Sequence, residues 1–277
     1  MISCSVTKNL IIMKKGIISS ICLLLLGLGV FAQDSTVYYN SAHSIVSRDS
    51  ADYMVHFVRG VDGLYSVERR RVKNNDLLSK GYCVTLDSPS FTGHYTAYSD
   101  SGMIVEEGTF VNNKKQGVWK YYYENTKQMW YNVDMVEDRE DGTLKSFYRN
   151  GKLKRIEQLD KGMTISGNCY DKEGNDIKFT PFMQMPYPEY SILQYLANNL
   201  NYPSAARKNR IEGRVKVNFI VDEKGKLTHF KIVKSLGHGC DEEVLRVMHL
   251  MPKWVPGTKD DEPIKVFYTQ PVSFKLQ

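Results

Sequence analysis

The chain closes on IKVFYTQPVSFKL, residues 264–276, and the side chains of this stretch alternate. Ile264, Val266, Tyr268, Val272, Phe274 and Leu276 fall on one face; Lys265, Thr269, Ser273 and Lys275 fall on the other. A period of two is that of a strand with one buried face. Pro271 sits inside it. Proline has no N–H to give a neighbouring strand, so the strand is expected at a sheet edge, where a missing donor is tolerated and uncontrolled pairing is blunted.

Upstream of that strand, residues 213–235 read GRVKVNFIVDEKGKLTHFKIVKS. Val215, Val217, Phe219 and Val221 alternate with Arg214, Lys216 and Asn218. Asp222 to Gly225 supplies a turn, and Leu227 to Lys234 is the return strand. Between this hairpin and the final strand, Asp241, Glu242 and Glu243 suit a helix N-terminus, where carboxylates meet the positive end of the dipole. Val244, Leu245, Met248 and Met251 form its apolar stripe, and Pro252 ends it. Before the hairpin, Pro186 and Pro188 mark a boundary. A helix is expected from near Glu189, with Ile192, Leu193, Leu196 and Leu200 on one stripe, and a second short helix after Pro203. The fold class expected is α+β. A C-terminal two-layer domain over 183–277, an antiparallel three-stranded sheet plus helices, is preceded by an all-β hairpin-repeat domain.

The repeats lie in the middle of the chain. GHYTAYSDSG (93–102), GVWKYYYENT (117–126), GTLKSFYRNG (142–151) and a shortened GNCYDKEG (167–174) begin on glycines 24, 25 and 25 residues apart. Tyr98, Tyr122 and Phe147 follow five residues after the first three glycines. Each unit reads as a hairpin with an aromatic strand and a glycine-bearing turn. One hairpin cannot bury its own face, so neighbours must stack. Residues 93–178 are expected to form this array. Residues 33–92 are a further β region with a degenerate earlier copy in HFVRGVDGLYSVERRRV.

The N-terminus, residues 1–32, reads as a targeting segment. Lys14 and Lys15 precede an apolar run to Phe31, and Ala32 before Gln33 is a plausible cleavage point. The alternative is an uncleaved anchor, since counting from Ile17 lengthens the run towards a membrane span. Removing residues 1–32 takes three lysines and no acid, which lowers the formal charge from +6 to +3. That weak basicity makes no case for nucleic acid. Cys83, Cys169 and Cys240 are widely spaced and odd in number, so they are not a disulfide framework. His238, Cys240 and His249 fall short of four zinc ligands, and adjacent Glu242 and Glu243 point to different sides of a helix. No nucleophile motif and no phosphate-cradling glycine loop is present. Neither an enzyme nor a cofactor is expected.

Two resemblances follow from these motifs. Gly117, Trp119, Tyr122 and Asn125, as G-x-W-x-x-Y-x-x-N, resemble MORN-type repeats. YPSAAR (202–207), GRVKVNFIVDEKG (213–225), SLGHGCDEEVLRVM (235–248), PKWVPG (252–257) and PVSFKL (271–276) closely resemble the TonB C-terminal domain. The second resemblance implies a periplasm-facing envelope protein that captures the box peptide of a TonB-dependent outer-membrane receptor. The peptide would add as a strand beside the last strand. Carried onto this sequence, the implied partner-binding residues are Tyr202, Pro203, Lys265, Val266, Phe267, Tyr268, Thr269 and Gln270. The family's membrane helix with a histidine and its proline-rich linker have no counterpart here; the repeats stand in the linker's place. A link to an inner-membrane proton-channel complex is implied only if the N-terminus is an uncleaved anchor. The competing reading is a non-transducing envelope scaffold whose repeats bind the partner.

Overall fold

The computed structural model describes residues 34–86 and 90–276. The expected targeting segment lies outside them. The described chain divides after Pro181 into two compact units.

In the first unit the described strands make one antiparallel sheet in which every strand lies beside its neighbour in sequence. The order runs β1 (Asp34–Tyr39), β2 (Tyr53–Arg59), β3 (Tyr65–Arg71), β4 (Leu77–Cys83), β5 (Phe91–Tyr98), β6 (Ile104–Val111), β7 (Lys114–Tyr122) and β8 (Met129–Val136). It continues through β9 (Arg139–Phe147), β10 (Leu153–Asp160), β11 (Met163–Tyr170) and the short β12 (Asp176–Ile177). The β region before the repeats is therefore part of the same sheet, and β2 and β3 form the hairpin read there as a degenerate copy.

Turn chemistry sets the period. Asn112-Asn113, Glu137-Asp138 and Lys161-Gly162 link successive hairpins, and all six residues have positive φ. A two-residue link with φ positive at both positions matches the right-handed twist of the strands it joins. At the opposite end of the hairpins Gly102, Asn125, Gly151 and Gly174 take the left-handed position. In the second copy Asn125 does so rather than Thr126, because that turn is one residue longer, closing Tyr123 onto Gln128. Gly93, Gly117 and Gly142 also share positive φ, whereas Gly167 does not. Gly167 is thus no equivalent of the first three. It is bare because the Phe179 ring lies over it, so close that a Cβ would stand 2.4 Å from the ring.

The aromatics of the repeats pack on each other. Trp119 is fully buried, with Phe110 at 5.0 Å and Tyr95 at 6.1 Å between ring centroids. Its Nε1–H donates to the Thr109 carbonyl at 3.2 Å, and the Lys115 ammonium stands 3.9 Å above its ring. Copies are also tied across one period. The Tyr123 hydroxyl donates to the Phe147 carbonyl, and the Tyr148 hydroxyl to the Tyr170 carbonyl, each at 2.8 Å.

The second unit begins at Phe182 and holds two three-stranded sheets where the sequence suggested one. Its elements are β13 (Met183–Gln184), α1 (Ile192–Asn199), α2 (Ser204–Lys208), β14 (Gly213–Val221), β15 (Leu227–Lys234), α3 (Cys240–His249), β16 (Gly257–Lys259), β17 (Glu262–Ile264) and β18 (Val266–Phe274). The main sheet runs β15-β14-β18, the smaller β13-β16-β17. The continuous strand expected over 264–276 is broken at Lys265, where the chain passes from the small sheet to the main one. Helix α1 starts later than Glu189 because Ser191 caps it, its side chain accepting from Gln194 N–H at 3.3 Å. Leu193 is exposed, so the packed stripe is Ile192, Tyr195, Leu196 and Leu200. In α3 the buried set is Cys240, Val244, Val247 and Met248, with Leu245 only partly covered. These side chains meet Val215, Val217, Phe219, Val272 and Phe274 in one core. The helices cover one face of the main sheet, the face carrying the odd-numbered residues of β14 and the even-numbered residues of β18.

Cys83, Cys169 and Cys240 are free and buried. Burial pushes the Cys83 thiol up to about 11.

Candidate functional site

The final strand is an edge. Among the described strands β18 pairs with β14 alone, in nine uninterrupted antiparallel steps from Gly213↔Phe274 to Val221↔Val266. Pro271 stands opposite Lys216 and does not disturb that register. Antiparallel pairs alternate between those that exchange both backbone hydrogen bonds and those whose N–H and C=O point away, where side chains come closer. A residue without N–H fits the second kind. Asn218↔Thr269 has the same parity, and there the Thr269 Oγ1 meets Asn218 Oδ1 at 2.8 Å. Both observations give one assignment. Phe267, Thr269, Pro271 and Ser273 turn their backbone polar groups outward, and Val266, Tyr268, Gln270, Val272 and Phe274 turn theirs to β14.

That assignment divides the residues singled out in the sequence. Among residues 265–270, only Phe267 and Thr269 present backbone groups to a further strand. Val266, Tyr268 and Gln270 are committed to the ladder and the core; Gln270 is 2 % exposed. Tyr268 lies over Trp254 and Phe219, at 5.2 Å and 5.7 Å between centroids. Lys265 lies outside the ladder, its ammonium 3.7 Å from Glu223 in an exposed pair. Such a pair is worth little. Ser273, which is not among the residues the resemblance implies, shares the parity of Pro271.

Tyr202 and Pro203 sit at the other end of the strand. The Tyr202 ring stands edge-on to Phe274 at 5.5 Å, and its hydroxyl donates to the Ile211 carbonyl. Pro203 opens α2 and packs near Gly239. At roughly 3.3 Å per residue, they are several residues removed from Phe267 and Thr269. Glu212, Gly213, Arg214, Ser273, Phe274 and Lys275 line an open depression of about 260 Å³ at this end.

The two edges of the main sheet differ. The ladder of β15 to β14 shifts register twice, beside Val233 and beside His229, and His229 has φ of 55°. Bulges and lysines are the usual guards of an edge, and β15 carries Lys231 and Lys234 as well. β18 has no bulge along its length and only Pro271 as a guard.

Comparisons with known proteins match two parts of the chain. Residues 198–276 match the family Gram-negative bacterial TonB protein C-terminal. Residues 91–112 and 140–161 match the MORN repeat variant family, on hairpins β5–β6 and β9–β10. Among solved structures, the chain is similar to the Helicobacter pylori TonB C-terminal domain determined by NMR. The two are 27 % identical over 32 % of this chain and 87 % of that one, with a TM-score of 0.24. The comparison with curated proteins gives no match. Among the described residues, no helix is long and apolar enough to cross a membrane.

Proposed function

We propose that this is a non-enzymatic TonB-family protein of the cell envelope that captures a receptor box peptide in the periplasm by strand addition to β18. The observation that carries the reading is the contrast between the two edges of the main sheet. A docking strand needs a regular row of outward donors and acceptors. Phe267, Thr269 and Ser273 supply such a row, with one donor missing at Pro271, while bulges interrupt the β15 edge. The TonB C-terminal match of residues 198–276 supports the partner class. The partner is a TonB-dependent outer-membrane receptor, and the repeat sheet serves as a spacer that sets the reach of the domain.

The test is a titration of the whole chain with fluorescent receptor box peptides. Saturable binding that is lost in Thr269→Pro supports the reading. No binding at millimolar peptide to a folded chain overturns it. If deletion of residues 91–161 abolishes capture of a whole receptor while peptide binding by the TonB domain is absent, the scaffold reading replaces it.

A further inference from the structure

The face of the main sheet opposite the helices carries a cluster of positive charge. Residues of β14 that point away from the core are Arg214, Lys216, Asn218 and Ile220, and those of β18 are Phe267, Thr269, Pro271 and Ser273. Register places Lys234 opposite Lys216 and Lys231 opposite Asn218. Arg214, Lys216, Lys231 and Lys234 are all exposed, and none has an ion-pair partner among the described residues. The carboxylates at the two ends of β14, Glu212, Asp222 and Glu223, are engaged, Glu223 by Lys265 at 3.7 Å. Glu212 accepts from the Leu276 N–H at 2.5 Å, and Asp222 accepts from Lys224 and Lys226 N–H at 2.9 and 2.8 Å.

We infer that this face docks on an anionic phospholipid surface. The four cations spread over two adjacent strands, a two-dimensional array rather than a line. The backbone of β14 is paired on both sides, by β15 and β18, so a peptide laid across the face would find no backbone hydrogen bonds there. A lipid headgroup layer needs none; it attracts each exposed lysine or arginine by charge alone. Val233, exposed at 46 % on its bulge, stands between Lys231 and Lys234 as an apolar contact. A sheet lying flat on a membrane keeps its β18 edge pointing sideways and open, so lipid docking and strand addition are compatible.

The experiment is co-sedimentation of the whole chain with vesicles of phosphatidylcholine containing phosphatidylglycerol, against vesicles of phosphatidylcholine alone. Binding to the anionic vesicles only, weakened by salt, is expected. Each Lys→Gln or Arg→Gln change at positions 214, 216, 231 and 234 should weaken partitioning about fivefold. The control replaces Lys208, Lys224, Lys226 and Lys253 by Gln, an equal change of net charge elsewhere on the same unit, and should bind nearly as the parent does. Circular dichroism of each variant verifies folding. Absence of binding, equal loss in the control, or tighter charge-dependent binding to an acidic peptide than to vesicles would each overturn the inference. None of these outcomes involves a receptor peptide, so the strand-addition reading stands or falls separately.

Discussion

Thr269 and Asn218 meet across two strands at 2.8 Å, hydroxyl to amide oxygen. With Pro271 opposite Lys216, this pair fixes the direction of every remaining polar group on β18. Proline tolerance along the strand should therefore alternate. Thr269→Pro should be less stable than Thr269→Ala by well under about 1 kcal/mol, because the donor removed faces outward. Val272→Pro should fall below Val272→Ala by on the order of 2 kcal/mol, because it deletes a ladder bond and strands a carbonyl of β14. Urea unfolding of the four variants measures both differences; equal losses would reverse the assignment. Pro271→Val restores an outward donor and should strengthen pairing at this edge, seen as self-association in sedimentation velocity.

Gly108 lies under Trp119, and a Cβ at that position would stand 2.3 Å from the indole. No side chain fits without moving a fully buried ring. Gly108→Ala should cost about 1–3 kcal/mol through overpacking, and Trp119→Ala about 3–5 kcal/mol through the cavity it leaves. The double variant should lose less than the two costs added, since the alanine methyl occupies vacated space. Thermal unfolding of the four proteins closes that cycle.

Asp241 gives a pH prediction. Burial alone would raise its pKa, but hydrogen bonds from the Ser235 hydroxyl and from the Leu236 and Gly237 N–H groups outweigh burial and hold it below the usual carboxylate range. A folded-state value below the unfolded one stabilises the fold fully above the unfolded pKa, about 4. That stabilisation disappears as pH falls through the folded value. Asp241→Asn should therefore melt earlier than the parent at pH 7, and the gap should close as the pH drops below about 4. A gap that is constant with pH would assign the loss to packing instead.

How far the sequence reveals the fold varies by element. Pro271 alone identifies the edge strand, because the missing donor is a property of one residue. The break at Lys265 is not legible locally. It exists because β17 pairs with β16, which in turn pairs with Met183–Gln184 some seventy residues upstream. Asn112-Asn113 announces a two-residue turn, whereas Glu137-Asp138 gives no such signal; the strands on either side hold its backbone at positive φ. Leu193 fits the apolar stripe of α1 by spacing, yet it is exposed, since the helix is short and turns only Leu196 fully into the core. At the site, the outward parity of Ser273 could have been read from Pro271 by counting in twos. The remoteness of Tyr202 from Thr269 could not, because it depends on the ring reaching Phe274.

Among the described strands of the first unit, none is inserted between two that adjoin in sequence. Energetically their sheet is therefore a one-dimensional chain, each link a hairpin stabilised by its two neighbours. Loop closure is short at every step, so ordering can begin at any hairpin and zip outward in both directions. The ends then open before the middle, and the length of the array can grow or shrink by whole periods.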